Sequence, residues 1–301
     1  MTNVNLNRRP ATRADIPAMS AIRIAVQENR LNNPARVTTQ MYEDYLHKLG
    51  RGWVAELEGE IIAFSYAAAA DASIWALFTQ PGREGLGAGK QLLRLAADWL
   101  FGLGFERVLL GTEANTRADR FYAAQGWARG AMRPGSVEVD FTLSNPGPLR
   151  IAPLAPAEAQ ALLTASDAYM RVRYPALDEA HLETAEALGR PGVSLLGAWW
   201  QGQLVACGAA KRVQDDAAAE PYGEIKRVFV AEAWRGRGIS KALMQRLELL
   251  LQAQGLTLAR LETGIHQPEA QALYRGMGYR PCGPFGSHVA DATGVFMEKL
   301  L

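Results

Sequence analysis

The sequence predicts two α/β domains in tandem, each with a sheet and helices packed against it. Its 301 residues are a length typical of two domains of ordinary size, each large enough to bury its own core. Similar short segments recur in the two halves at a nearly constant offset. In each half, a strand-like run leads into a glycine-rich turn and then into an amphipathic helix, which is typical of α/β units.

The recurrence indicates a duplicated domain. Three pairs of matching segments share an offset of about 143 to 152 residues: 59–63 with 202–206, 87–90 with 238–241, and 121–127 with 273–279. So long a period indicates duplication rather than a short-repeat solenoid. The Asn-Pro-Gly-Pro stretch at 145–148 marks the seam, because neither a helix nor a sheet tolerates it. We therefore predict domains at 1–146 and 147–301.

Both halves have the same order of predicted elements. A strand is followed by two helices, a run of strands, the glycine-rich turn with its helix, a strand, a helix and closing strands. In the first half we predict helices at 15–27 and 39–49, a hairpin of 53–57 and 60–67, and a strand at 74–79. In the second half we predict helices at 156–170 and 178–188, a hairpin of 195–200 and 203–210, and a final strand at 294–300.

Two local signals support these elements. Thr12 or Asp15 can cap the first helix, because short polar side chains accept hydrogen bonds from the free amides of a helix start. Glu58-Gly59 is a favourable two-residue turn for the first hairpin.

The run from Arg235 to Ser240, directly after the strand-like segment 224–230, predicts an anion-binding loop. Glycine lets backbone amides close on a phosphate without a Cβ in the way. The helix that begins at 241–247 adds unpaired N–H groups and the positive end of its dipole.

Two other kinds of phosphate site fit the residues less well. A P-loop requires G-x-x-x-x-G-K-[ST], but Gln91 follows Gly89-Lys90 and Glu84 stands at the first glycine. A dinucleotide fold expects an acidic residue about 20 positions after its glycines, whereas Asp98 follows them too early.

Residues 224–243 resemble the pyrophosphate loop of the GNAT family of acetyl-coenzyme A dependent N-acetyltransferases, which carries R-x-x-G-x-G/A after a strand. Ser240 departs from that pattern but is still a small residue. A second block resembles the family's N-x-x-A-x-x-L-Y-x-x-x-G-F; it comprises Gln267, Ala270, Leu273, Tyr274, Gly278 and Tyr279. The resemblance implies two GNAT-like α/β domains, each a mixed, mostly antiparallel sheet with a splayed central strand pair, and acetyl-coenzyme A as the cofactor.

The resemblance also implies where the cofactor binds in each half. In the second half it points to the backbone of Val228, Phe229 and Val230, to the loop residues Arg235, Gly236, Arg237, Gly238, Ile239 and Ser240, and to Gln267. In the first half it points to Phe78, Thr79, Gly85, Gly87, Gly89, Asn115 and Tyr122.

Two residues of the second half match the catalytic positions of the family. Making an amide from a thioester requires a base for the ammonium proton, donors for the oxyanion and an acid for the thiolate. Glu224 matches the family's general base, and Tyr274 matches its general acid. Backbone amides at 228–230 are the expected oxyanion donors. Alternatively, Glu224 is a solvated residue at a strand edge and Tyr274 only packs its helix.

The first half is weaker at the same positions. Glu84 replaces the loop arginine, which sets a carboxylate beside the expected pyrophosphate, and Ser73 replaces Glu224. Two outcomes stay open for this half: binding without efficient turnover, or catalysis with a base such as Glu28 or Glu113. Tandem members such as mycothiol synthase resemble this chain in layout, with unequal halves.

The acceptor is expected to be a primary amine of a small molecule or peptide. Tyr169, Tyr174 and His181 are candidate substrate contacts, and Arg171 and Arg173 lie among them. Such an aromatic and cationic wall suits an acceptor with a carboxylate or an aromatic part. Alternatively, both tyrosines belong to the core and the arginines are solvated.

Composition excludes several classes of partner. Lys and Arg total 32 against 31 Asp and Glu, so no basic face for nucleic acid is indicated. No apolar run reaches the roughly 18 residues of a membrane span and no apolar signal core is visible, so we expect a cytoplasmic protein, monomeric or homodimeric. Cys207 and Cys282 lack the spacing of a metal site or disulfide, and we expect no metal.

The leading hypothesis is an N-acetyltransferase with its active site in the second half. One rival places the working site in the first half. Another is a non-catalytic, regulatory acetyl-coenzyme A binder, which would have no need of Glu224 and Tyr274.

Overall fold

The computed structural model describes residues 6–27, 37–175, 183–215, 220–288 and 292–301. The chain divides into two compact units, Met1–Gly147 (unit 1) and Pro148–Leu301 (unit 2). Each unit contains a seven-stranded sheet with helices packed against it. The predicted α/β fold, with a mixed and mostly antiparallel sheet in each half, is confirmed.

Unit 1 begins with a strand and two helices and then runs mainly through its sheet. Its elements are β1 Asn7–Pro10, α1 Ile16–Ala25, α2 Thr39–His47, β2 Gly50–Leu57, β3 Glu60–Ala68, β4 Ser73–Thr79, α3 Ala88–Gly102, β5 Arg107–Glu113, α4 Arg117–Ala124, β6 Ala128–Met132 and β7 Glu138–Ser144. The strand order across the sheet is β1-β2-β3-β4-β5-β7-β6.

Unit 2 repeats this order of elements. They are β8 Leu149–Pro153, α5 Pro156–Arg173, α6 Ala185–Leu188, β9 Val193–Trp200, β10 Gln203–Val213, β11 Tyr222–Val230, α7 Ile239–Ala253, β12 Leu258–Gly264, α8 Pro268–Gly276, β13 Arg280–Pro281 and β14 Gly294–Leu300. The strand order is β13-β14-β12-β11-β10-β9-β8.

Each sheet has one parallel strand pair near its centre, and this pair is short. In unit 2, β11 pairs with β12 only at Gly223, Glu224 and Ile225, although β11 continues to Val230. In unit 1, the register of β4 against β5 contains the single pair Ser73–Leu109. The strands therefore diverge beyond these residues, which leaves a gap at the centre of each sheet where a ligand can reach the backbone.

The two hairpins have the same turn conformation. Glu58 and Gly59 both have positive φ, 52° and 85°. Gln201 and Gly202 repeat these values at 51° and 85°. Two successive left-handed residues are typical of the type I′ turn, whose twist matches that of the flanking strands.

Several predicted element bounds were wrong, for local reasons. The helix predicted from 15 begins at Ile16, because 13–15 form a 3-10 turn in which the Asp15 carboxylate accepts from the Thr12 amide. The helix predicted over 178–188 begins at Ala185 within the described residues, because the Thr184 hydroxyl accepts from the Ala187 amide and caps it there.

Helix α7 fixes β11 in place by close packing. Its Leu243, Leu247 and Leu251 are buried against the sheet. Gly223 of β11 faces Leu251, and a Cβ at this glycine would overlap the leucine side chain. The absence of a side chain at Gly223 thus allows the helix to approach the strand that carries Glu224.

We predict that Gly223→Ala destabilises unit 2 by about 1–3 kcal/mol, because an extra methyl overpacks the contact with Leu251. Gly276→Ala is the control: a Cβ there meets no atom within 4 Å, so this helical substitution should be neutral or slightly stabilising. Urea unfolding, monitored by hydrogen exchange of peptides from β11 and α7, measures the stability of both variants. Equal stability of the two variants would contradict the packing argument.

Candidate active site

A bulge reshapes β11 just before its end. Pairing with β10 shifts between Cys207–Phe229 and Ala209–Lys226, and Arg227 within the bulge has φ of 54°. The Arg227 side chain, 9% exposed, pairs with Asp167 of α5 at 2.6 Å and donates to the Leu163 carbonyl at 3.3 Å. These contacts hold a backbone conformation that L residues rarely adopt.

The glycine-rich loop leads directly into α7. Gly236 and Gly238 have φ of 75° and 77°, and Gly238 is the N-cap residue. A Cβ at either glycine would meet no protein atom within 4 Å, so a side chain would enter the open space before the helix start. Free N–H groups and positive dipole charge at this end suit an anion such as a pyrophosphate.

Two arginines of the loop have different surroundings. Arg235 donates from Nε to the Val230 carbonyl at 3.1 Å, and its guanidinium lies 4.6 Å from the ring centre of Tyr169. Arg237 lies over the rings of Trp200 and Trp234, at 5.5 and 5.2 Å. Arg235 therefore links the loop to the strand end and to α5, and Arg237 packs on tryptophans rather than lining the cavity described next.

A cavity of about 800 Å³ brings most of the predicted site residues of unit 2 together. The predicted residues that line it are Tyr169, Tyr174, Glu224, Val228, Phe229, Val230, Arg235, Gly236, Gly238, Ile239, Ser240, Gln267 and Tyr274. His181 lies outside the described residues.

Glu224 is buried in this cavity rather than solvated at a strand edge. It is 5% exposed, and it lies opposite Lys211 in the pairing of β10 and β11. Its oxygens lie 3.1 Å from Lys211 Nζ, 3.0 Å from Lys226 Nζ and 2.8 Å from His288 Nε2. Burial alone would raise the pKa of Glu224, but the His288 hydrogen bond and the two ammonium groups lower it to about 2.

His288 connects Glu224 to a second carboxylate. Its Nδ1 lies 2.8 Å from Glu262 Oε2, while Nε2 faces Glu224. Hydrogen bonds to the two carboxylates raise the pKa of His288 to about 9. Side-chain exposure increases along this row, from 7% at Glu224 to 24% at His288 and 37% at Glu262. The buried carboxylate is thus connected to solvent through a protonated imidazole.

Sequence reasoning did not find Glu262, His288 or the two lysines. Glu262 stands just before the second family-like block, and His288 lies in a Pro- and Gly-rich loop with no helix or strand spacing to indicate its role. The register of β10, β11 and β12 brings the lysines and Glu262 towards Glu224, and the loop before β14 adds His288.

Tyr274, on α8, also lines the cavity. It is 7% exposed, and burial raises its pKa to about 12, so its phenol keeps its proton at neutral pH. Nearby, Gln267 Oε1 accepts from the Gly264 amide at 3.0 Å. The Tyr174 hydroxyl accepts from the His266 amide at 2.9 Å, so Tyr174 both lines the cavity and anchors the β12–α8 turn.

Unit 1 keeps the loop but changes its charge. Gly85 and Gly87 have positive φ, 79° and 84°, as in unit 2. At the position of Arg235, Glu84 accepts from the Gly82 amide at 2.7 Å and pairs with Arg117 at 3.2 Å. One backbone amide of this loop therefore already donates its hydrogen bond to a carboxylate of the protein.

The catalytic positions of unit 1 also differ. Ser73, six positions before Thr79 as Glu224 is before Val230, donates its hydroxyl to Asp71. Tyr122 is buried against Trp127 and Phe141, as ring distances of 6.2 and 5.7 Å indicate.

Of the remaining predicted cofactor residues of unit 1, Thr79 lies beside the start of α3, and Asn115 lies at the turn before α4. Thr79 Oγ1 would be 3.5 Å from a Cβ on Gly89, so the end of β4 lies against the start of α3. Asn115 has φ of 63°, and its amide donates to Asp119 of α4 at 2.8 Å.

Aromatic side chains fill the face of β4 that corresponds to the charged cluster of unit 2. Trp75, which matches Lys226 in position, stacks on Tyr45 at 4.5 Å with an interplanar angle of 17°. The Arg23 guanidinium lies 5.0 Å from the rings of both Trp75 and Phe78. Where unit 2 has ionised groups around a cavity, unit 1 has a packed aromatic layer.

Within the described residues, no helix is long and apolar enough to cross a membrane.

Comparison with known proteins gives matches in both units. The model of the acetyltransferase (GNAT) family matches residues 21–127 and again 159–279. The "IAA acetyltransferase" of Azospirillum brasilense is 38% identical over 152 residues, which are 50% of this chain and 95% of that protein. N-acetyltransferase family 8 member 2 of Rattus norvegicus is 33% identical over 98 residues, 31% of this chain and 43% of that protein. A solved acetyltransferase structure from Streptococcus agalactiae is 16% identical with a TM-score of 0.43, covering 51% of this chain and 99% of that chain.

We predict that the His288 ring titrates with a pKa of about 9 and that Glu262→Gln lowers this pKa by about one unit, because one of the two carboxylates is lost. Proton–carbon NMR of the ring resolves the four histidines.

The same shift has a consequence for stability. Because folding raises the pKa of His288 above its ordinary 6.5, its contribution is complete below pH 6.5 and is lost as the pH rises through about 9. A His288 pKa near 6.5 in the native protein would contradict the bridged arrangement.

Proposed function

The chain belongs to the acetyltransferase (GNAT) family, and we propose that unit 2 transfers an acetyl group from acetyl-coenzyme A to a primary amine of a small molecule or peptide. The observation that carries this proposal is the single cavity shared by the anion loop, the Glu224 cluster and Tyr274. Family membership supports acetyl-coenzyme A as the acetyl donor.

The loop of unit 2 fits the pyrophosphate of coenzyme A. Its two left-handed glycines leave room for close backbone approach, and the start of α7 supplies N–H donors. The splayed end of β11 offers backbone amides at Val228 to Val230 to a pantetheine chain and to a developing oxyanion. When bound, the cofactor supplies an acetyl group activated as a thioester.

We propose that Glu224 removes the proton of the acceptor ammonium together with His288 and Glu262. A simple amine has a pKa near 10, so it arrives protonated. A carboxylate with a pKa of about 2 holds a proton poorly on its own, whereas His288, with a pKa of about 9, can hold one. In this scheme the working form is the neutral His288 ring with its proton on Nδ1: the ammonium proton passes through Glu224 to Nε2, and the Nδ1 proton then leaves through Glu262 to solvent. Lys211 and Lys226 lower the pKa of the incoming ammonium by repulsion.

Tyr274 is proposed as the acid that protonates the departing thiolate. Its buried phenol is neutral at physiological pH and lines the same cavity as the glycine-rich loop. A phenol is a suitable donor because a proton is needed only as the thiolate forms.

Unit 1 is proposed to be catalytically impaired. Glu84 holds a loop amide, Ser73 is bonded to Asp71, and the aromatic layer at Trp75 takes the place of the charged cluster. An increase in free thiol when amines, peptides or amino acids are mixed with the protein and acetyl-coenzyme A tests the activity. Coenzyme A binding without thiol release for any acceptor would favour the non-catalytic alternative.

We predict that Gly238→Glu abolishes coenzyme A binding in unit 2, because a charged side chain enters the cradle before α7. Calorimetry compares coenzyme A binding by the parent protein and by Gly238→Glu. Both carry Gly87→Glu, so that only binding in unit 2 is measured. Gly255→Glu is a matched control, since Gly255 follows the other end of α7 with φ of 78° and equally open space. Unchanged affinity in Gly238→Glu would remove the loop from the cofactor site.

We predict that Glu224→Gln lowers kcat/KM about 10²-fold near neutral pH, with recovery at high pH where the amine is already partly free. Tyr274→Phe should lower kcat and leave coenzyme A affinity nearly unchanged, because the phenol acts as the thiolate leaves. Tyr122→Phe is the matched control in unit 1. Normal rates in both unit 2 variants, alongside a large loss in Tyr122→Phe, would move the active site to unit 1.

A further inference from the structure

Two lysines of the unit 2 cavity converge on one oxygen. Lys211 Nζ and Lys226 Nζ lie 3.3 and 2.9 Å from Glu183 Oε1. Both lysines line the cavity and are only partly exposed, at 29% and 19% of their side chains. A partly buried pair of ammonium groups requires an anion beside it, because desolvated like charges repel strongly.

Each ammonium has a donor to spare. An ammonium carries three N–H groups, and in the described part of the chain Glu183 and Glu224 are the carboxylates that pair with each lysine. One N–H of each lysine is therefore left for water or for a ligand in the cavity.

The two carboxylates are held very differently. Glu224 is the third residue of β11, its side chain is 7% exposed, and it is also bonded by His288. Glu183 lies in the loop before α6, its side chain is 27% exposed, and its contacts in the described residues are those with the two lysines. Glu183 is thus the anion that a ligand can replace at low cost.

We propose that the acceptor is an amino acid or another small aminocarboxylate, whose carboxylate binds Lys211 and Lys226 in place of Glu183. This inference rests on the proposed function and specifies its substrate class. A carboxylate restores the charge balance that Glu183 provides, and hydrogen bonds between ionised groups are the strong kind.

The position of the lysines orients such an acceptor. Lys226 lies two residues beyond Glu224 along β11, in the direction of the splayed end at Val228 to Val230. An acceptor whose carboxylate is held there has its amino group within the same cavity as Glu224 and Tyr274. Tyr169 and Met170 of α5 line the cavity as well and provide a wall for the remaining, less polar part.

Matched acceptors test the proposal. Phenylalanine, phenylalanine amide and phenethylamine differ at the carboxylate, and leucine with leucine amide forms an aliphatic set. The expected result is a kcat/KM at least about tenfold higher for the carboxylate member of each set, the scale of one charge-assisted hydrogen bond. Affinity for the same compounds, measured by calorimetry in the presence of coenzyme A, should follow the same order.

Variants distinguish two roles of the lysines: binding of the acceptor carboxylate, and stabilisation of the ionised Glu224. Lys226→Met should reduce the carboxylate preference about tenfold, and Glu183→Gln should lower KM severalfold for carboxylate acceptors only, because the competing anion is gone. Arg212→Met is the matched control, since it removes a positive charge from the exposed neighbour of Lys211 on β10. Its preference should not change. Circular dichroism and coenzyme A affinity establish that each variant is folded.

Three outcomes would overturn the proposal. One is equal use of carboxylate and non-carboxylate amines. A second is a Lys226→Met variant that loses rate equally on all acceptors, since the lysine then only supports Glu224. A third is equal affinity for all compounds. Selective binding of the carboxylate members without thiol release would instead confirm this site and reject acetyl transfer, so the two proposals fail separately.

Discussion

The arrangement of unit 2 depends on the burial of one carboxylate. An ionised group with 5% exposure is tolerated only when opposite charges and hydrogen bonds surround it, and Glu224 has three such partners from three parts of the chain. Lys211 comes from β10, Lys226 from β11, and His288 from the loop before β14. The cost of burying Glu224 therefore constrains the register of two strands and the position of a distant loop. The same cluster creates the strongly shifted pKa values that acid–base chemistry requires.

The two units show which features the fold needs and which belong to a polar site. Features of the backbone are kept in both units, whereas the polar side chains differ. Both units have the type I′ hairpin, the short parallel strand pair and a left-handed glycine at the start of the long helix. These features depend on backbone geometry and remain in both copies. The polar cluster is not kept in unit 1. Trp75, stacked on Tyr45, stands at the position of Lys226, and Glu84, paired with Arg117, stands at the position of Arg235. Backbone architecture has persisted while side-chain chemistry has diverged.

Local rules predicted the parts of the structure that are local. The Glu58-Gly59 turn and the glycine loop follow from the φ values that glycine and turn residues allow, and the fold class follows from the repeated order of elements. Of the helix predicted over 178–188, residues 178–182 lie outside the described residues, and 183–184 are not helical because the Thr184 cap starts the helix at Ala185. His288, Lys211 and Glu262 could not be predicted as partners, because their proximity depends on strand register between segments far apart in sequence. The aromatic layer at Trp75 was missed for the same reason.

Helix α5 contacts both the bulge of β11 and the glycine-rich loop beside the unit 2 cavity. Its Asp167 holds the left-handed Arg227, and the Tyr169 ring lies between the guanidinium groups of Arg173 and Arg235, at 3.6 and 4.6 Å. A substitution on this helix that reshapes the cavity wall therefore also disturbs the strand bulge and the loop arginine. If the proposed site is correct, the acceptor wall and the cofactor loop are therefore structurally coupled through α5. Under the proposed function, new acceptor preferences are consequently more accessible through changes in the β10 and α6 segments than through changes in α5.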